Sequence, residues 1–245
     1  MTVDVDADQG ITHDRPGWLL DEVGSAGREN LDVDHVQRYD VKEDAAAASE
    51  VALLRGWGLD EDSHVVELGP GTGQFTLAVA PTCARVVAVD VSSVMLEVLR
   101  TKLARARVRN VDVAQAGFLT YEHHGRPADL VYSRYALHHL PDFWKAVALT
   151  RARHLLRPGG ILRLWDVVYS FDPCEAQERL EAWCATGHGE GGDGWSRAEL
   201  EEHVRDEHST FSWLLEPMIE RAGFAIEDAT YSPDGMLATY VARAR

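Results

Sequence analysis

The chain has 245 residues, 45% of them hydrophobic, and its 40 acidic against 24 basic side chains give a net charge of −16. That length can bury the core of one catalytic domain. Strongly acidic segments flank a mildly basic middle, which argues against the basic surface a nucleic-acid enzyme presents to phosphates and favours a small-molecule substrate.

Residues 1–34 are acidic and aperiodic, with Pro16 and several glycines, as in a flexible or lid-like arm. Their start lacks the basic and apolar pattern of a secretory leader, and no run is apolar for the length of a membrane span. Cys83, Cys174 and Cys184 show no C-x-x-C spacing, so neither a disulfide framework nor a zinc site is expected, and a reducing cytoplasm fits. Residues 35–245 are expected to form a single catalytic domain. His35, Val36, Tyr39 and then Ala45–Leu54 suggest one or two helices closed by Gly56 and Gly58. Strands are expected near 63–68, 85–90, 111–116, 128–133 and 160–168, with helical patterns at Ser93–Arg105 and Phe143–Leu156 between them. This alternation predicts an α/β fold, a parallel sheet covered by helices. Arg157-Pro158-Gly159-Gly160 reads as the turn before the fifth strand. Residues 171–220, rich in glycine and aromatics, read as an inserted cap, and Ser232-Pro233-Asp234-Gly235 joins the two strands of a closing hairpin.

The most informative stretch is the first strand and its turn. Val65, Val66 and Leu68 are followed by Gly69, Gly71 and Gly73, which allow a tight turn and close approach of a ligand. Asp90 ends the next apolar strand, where a carboxylate can take both hydroxyls of a ribose. A nucleoside-containing cofactor is implied. The third glycine comes one place early for a dinucleotide fingerprint, Gln74 holding the expected position, and no Lys followed by Ser or Thr completes a P-loop.

The string Glu67-Leu68-Gly69-Pro70-Gly71-Thr72-Gly73, with Asp90 beyond it, resembles the first two motifs of class I S-adenosylmethionine-dependent methyltransferases. Leu156–Gly160 resembles a third motif in the expected order, and the likeness covers about residues 35–170 plus the last hairpin. It implies a Rossmann-like, mostly parallel seven-stranded sheet with an antiparallel last strand, N-terminal helices and a cap insertion. The implied cofactor is S-adenosylmethionine, and the implied reaction is methyl transfer to a small-molecule acceptor by in-line displacement at the sulfonium methyl. The same fold also serves cyclisation and other non-methylating reactions, and a non-catalytic cofactor-binding protein is a further alternative.

The resemblance places the cofactor against Glu67, Gly69, Gly71, Thr72, Gly73 and Asp90, with Val91 and Met95 flanking the adenine and Ser133, at the end of strand four, under the sulfonium. Many relatives carry Asp where Gly117 stands. Backbone groups or water are therefore expected to meet the adenine amino group here, with Phe118 packing on the ring or serving as ordinary core. Ala136–Pro141 resembles the Leu-His-His-Leu pattern of small-molecule methyltransferases, which makes His138 and His139 candidate bases or, for one of them, a brace of the loop. Asp166 at the end of strand five is a candidate base or substrate anchor, with a capping role as the alternative. Tyr39 is a candidate partner of the methionine carboxylate, or a helix residue packed on the sheet edge. His188, His203 and His208 lack a supporting metal motif and are expected to be solvated. Trp183, Trp195 and Trp213 are expected to form the core of the cap, with His208–Trp213 candidates for lining the acceptor pocket.

Overall fold

A computed structural model describes residues 16–27, 46–187 and 194–245. In chain order, α1 (Ala47–Gly56), β1 (His64–Leu68), α2 (Gln74–Val79), β2 (Arg85–Asp90), α3 (Ser93–Ala106), β3 (Val111–Gln115) and β4 (Ala128–Arg134) form the first half. Then follow α4 (Asp142–Leu155), β5 (Leu156–Tyr169), α5 (Ala176–Cys184), α6 (Arg197–Asp206), β6 (Thr210–Phe211), α7 (Ser212–Arg221), β7 (Phe224–Tyr231) and β8 (Leu237–Ala244). Tyr39 and His188 lie outside the described residues.

The sheet runs β3-β2-β1-β4-β5-β8-β7, and β6 adds a short parallel pairing to the end of β5. Pairs within the first five strands are parallel, and β8 runs antiparallel to both β5 and β7, as the expected fold class requires. Central strands are apolar on both faces because helices cover both. Val66, Val131 and Leu162 belong to one buried cluster that includes residues of α4 and α7. Val65, Leu130 and Tyr132 join residues of α1 and α2 in another, where the Phe75 and Tyr132 rings stack with centroids 3.6 Å apart.

Two expectations are corrected. Arg157–Gly160 is no turn ahead of the fifth strand: β5 already begins at Leu156, and its pairing jumps from Ala128–Leu156 to Leu130–Ile161. Pro and Gly sit at a bulge, where ladder hydrogen bonds are interrupted. The insertion also closes earlier than residue 220, because α7 buries Leu215 and Ile219 in the main core. The cap proper comprises α5, α6 and their connections, with a capping box at Ser196 and Glu199 starting α6.

One buried ion pair ties α1 to the sheet. The Arg163 guanidinium on β5 donates Nε to Glu50 Oε2 and Nη2 to Glu50 Oε1, both at 2.8 Å. Removing one partner strands the other charge away from water. Glu50→Ala is expected to lower unfolding free energy by about 3–5 kcal/mol in chemical denaturation, and Glu50→Met combined with Arg163→Met to recover most of that loss.

Candidate active site

The carboxyl ends of β1 to β4 open into a cleft, the place where open α/β sheets hold ligands. Gly69, Gly71, Asp90, Val91, Gly117 and Phe118 are on its wall, and the arm segment 16–27 covers one side through Glu22 and Ala26.

Backbone conformation explains the glycines. Gly69, Gly71 and Gly73 have φ of 78°, 53° and 86°, a region costly for residues with a Cβ. A Cβ on Gly69 would also overlap Ala136 in the loop after β4, and one on Gly73 would overlap Leu99 of α3. The turn is held from below by Asp90, whose Oδ2 accepts from Gly71 N at 3.0 Å and whose Oδ1 accepts from Ser92 N at 2.8 Å. Burial raises the Asp90 pKa, and these backbone donors offset part of the rise. Beneath it Glu67 is buried and accepts from Thr76 Oγ1; burial pushes its carboxyl up to about 8, with Asp90 adding to the rise and Thr76 opposing it.

At Gly117 the structure supplies what the local sequence does not. Glu22, 7% exposed, reaches across from the arm: its Oε1 accepts from Leu119 N and its Oε2 from Thr120 Oγ1, both at 3.0 Å. Its carboxylate occupies the space that a Cβ on Gly117 would need. A buried acid thus stands at this wall beside the backbone groups expected there. The sequence signal was the missing side chain at Gly117; its partner, 97 residues from Leu119, carries no local motif.

Arg134 is a second wall residue the sequence did not single out. Its guanidinium lies 4.7 Å from the Tyr135 ring centroid and 4.2 Å from that of Trp165. Tyr135 takes a left-handed backbone, φ 49°, and its N–H donates to Trp165 O at 2.9 Å, so the chain leaves β4 through a strained residue on the cleft wall.

Of the other candidates, Val91 and Phe118 line the cleft, while Glu67, Thr72, Gly73, Met95 and Ser133 are buried or set behind its wall. Met95 N donates to the N-cap Ser92 Oγ at 3.1 Å in the first turn of α3. His138, His139 and Asp166 come together, but only His139 faces the cleft. Burial and the neighbouring His138 push its pKa down, which keeps it neutral. Burial opposes charge on His138 too, yet Asp166 and Glu207 on its two ring nitrogens hold its pKa well above the ordinary value. Asp166 accepts from Leu137 N at 2.9 Å, His138 N at 3.2 Å and Val167 N at 2.8 Å, which fixes the loop after β4 onto β5. In the cap, Trp183 packs edge-on against His203, whereas Trp213 is exposed and stacks on Phe211. His208 N donates to His138 O at 2.9 Å.

Residues 65–160 match the methyltransferase domain family. An uncharacterized methyltransferase of Geobacillus kaustophilus is 31% identical over 161 residues, 66% of this chain and 68% of that protein. One from Anoxybacillus flavithermus is 29% identical over 169 residues, 69% of this chain and 71% of that protein. Among solved structures, the N-methyltransferase NodS from Bradyrhizobium japonicum, in complex with S-adenosyl-L-homocysteine, shares the fold at a TM-score of 0.61 and 16% identity, covering 91% of this chain and 98% of that one.

Glu67 gives a pH test. Its folded pKa of about 8 lies above the ordinary 4.5, so its contribution to stability is full below about 4.5, declines across that window and is lost as pH rises through about 8. Glu67→Gln, which keeps the neutral form at every pH, is expected to flatten this decline in denaturation midpoints measured from pH 5 to 9. Gly69→Ala is expected to cost more than 1 kcal/mol of stability, from both its φ and the overlap with Ala136, in the same assay.

Proposed function

Because the chain belongs to the methyltransferase family, we propose that this cleft binds S-adenosylmethionine and that the donor's methyl group passes to a small-molecule acceptor. The observation that carries the reading is the partly buried Asp90 carboxylate at the end of β2, held by Gly71 N beneath a glycine turn whose left-handed residues present bare backbone to the cleft. Asp90 would take the ribose hydroxyls, Val91 and Phe118 would hold the adenine, and Glu22 would accept from its exocyclic amine. The Glu22 carboxylate is on the cleft wall beside Gly117 and Phe118, and a carboxylate accepts hydrogen bonds only, which matches an amine donor. Arg134 suits the amino-acid carboxylate.

S-adenosylmethionine supplies a methyl group already activated on a positive sulfur. The chain's own task is to align the acceptor with the carbon–sulfur bond and to exclude water. The arm closes one side of the cleft through Glu22, and the cap borders the loop that carries His139. His139, neutral and on the cleft wall, accepts a hydrogen bond that orients the acceptor's nucleophile; its lowered pKa makes it a weak base, and the acceptor's proton passes to solvent as the methyl group is transferred. His138 and Asp166 position that loop. The cap selects the acceptor. No helix among the described residues is long and apolar enough to cross a membrane. The three free cysteines fit a reducing cytoplasm.

Calorimetric titration is expected to show saturable binding of S-adenosylmethionine and S-adenosylhomocysteine. Asp90→Ala should weaken both by about 100-fold and Glu22→Gln by about tenfold; undiminished affinity in Asp90→Ala overturns the assignment. With labelled methyl donor and an acceptor found by screening, His139→Ala should slow turnover by about 100-fold at unchanged cofactor affinity.

A further inference from the structure

Behind the cleft, a second constellation joins the cap to the loop after β4. His138 follows β4, His203 sits in the last turn of α6, and Glu207 comes one turn later, just past the helix end. Glu207 Oε2 is 2.9 Å from His138 Nε2 and 2.5 Å from His203 Nδ1, and His139 Nδ1 lies 4.0 Å from the same oxygen. One ligating atom from each of His138, His203 and Glu207 falls within 4.8 Å of the other two. We propose that these three residues bind a divalent transition-metal ion that fastens the cap to the catalytic loop.

Two features favour an ion there. First, the donor set is two imidazoles and one carboxylate, which suits zinc and its first-row neighbours and is poorly matched to the all-oxygen preference of calcium or magnesium. Second, each ring has its remaining nitrogen held: His138 Nδ1 meets Asp166 Oδ1, and His203 Nε2 lies 2.9 Å from Ser209 Oγ. Outer partners of this kind fix tautomer and ring orientation in metal-binding histidines. Asp166 is in turn anchored by three backbone N–H groups, so the outer shell is rigid. The Trp183 ring, 5.4 Å from that of His203, walls the cluster on its cap side.

The separation of the donors in sequence explains why no metal motif is visible: His203 finds its partners not in the other cap histidines but in Glu207 and in a loop 65 residues earlier. The ion would make docking of α6 onto the β4 loop depend on metal, independently of which molecule donates the methyl group.

The test uses the full chain, stripped with chelator and titrated with Co2+ while visible absorption is recorded. Saturation at one equivalent, with ligand-field bands that one equivalent of Zn2+ bleaches, is the expected result. His203→Ala and Glu207→Gln should each weaken Co2+ binding by at least about tenfold, and His123→Ala, remote from the cluster, should not. The Glu207→Gln side chain keeps its size, and Zn2+ should raise the melting temperature of the wild type but not of that variant. Failure to saturate near one equivalent, or unchanged affinity in both ligand variants, overturns the proposal. S-adenosylhomocysteine titrated into the same stripped protein reports on the cofactor cleft separately.

Discussion

The Asp90 carboxylate bridges Gly71 N in the turn after β1 and Ser92 N at the start of α3, and so locks two strand ends into one rigid floor. Much of the site follows from that bridge. It holds the glycine turn in a left-handed path that removes side chains from the cleft, and it places a partly buried acceptor on the cleft wall. The cost is a desolvated carboxylate close to a second one, Glu67. The fold offsets it with backbone donors on Asp90 and with a neutral, hydrogen-bonded Glu67. A dinucleotide site solves a different problem, presenting a helix N-terminus to phosphates; here the third glycine sits one residue earlier, and Gly73 is spent on packing against Leu99.

The opposite rim is organised by Asp166. Its three backbone hydrogen bonds pin the chain as it leaves β4, and its contact with His138 extends the hold into the cap through Glu207 and His203. Two histidines adjacent in sequence thereby acquire different tasks. His138 is enclosed between carboxylates and fixes the loop; His139 is turned to the cleft. Cap and loop geometry are consequently linked, because α6 and Glu207 hold the loop that carries His139.

The parts of this arrangement that were legible in sequence are those in which a local pattern has one physical meaning. Apolar Val65, Val66 and Leu68 before three spaced glycines specify a buried strand and a bare turn, and Asp90 after Val86–Val89 specifies an acid at a strand's carboxyl end. Pattern failed where one residue type serves two geometries. Pro158, Gly159 and Gly160 mark a bulge inside β5 as readily as a turn before it, and α7, with Pro217 in its interior and aromatics preceding it, read as part of the cap. Contacts between distant segments were invisible altogether. The vacant side-chain position at Gly117 was evident, but the acid that fills it comes from an aperiodic arm. His203 and Glu207 likewise acquire their roles only when α6 folds against the loop after β4.

The central claim is that one cleft, floored by the glycine turn and Asp90 and walled by the arm, holds the methyl donor. A crystal structure with bound S-adenosylhomocysteine tests it most directly. The expected result has the ribose hydroxyls within hydrogen-bond reach of Asp90, the adenine amine against Glu22 and the amino-acid carboxylate toward Arg134. A ligand seated elsewhere, or one whose ribose lies away from Asp90, contradicts it.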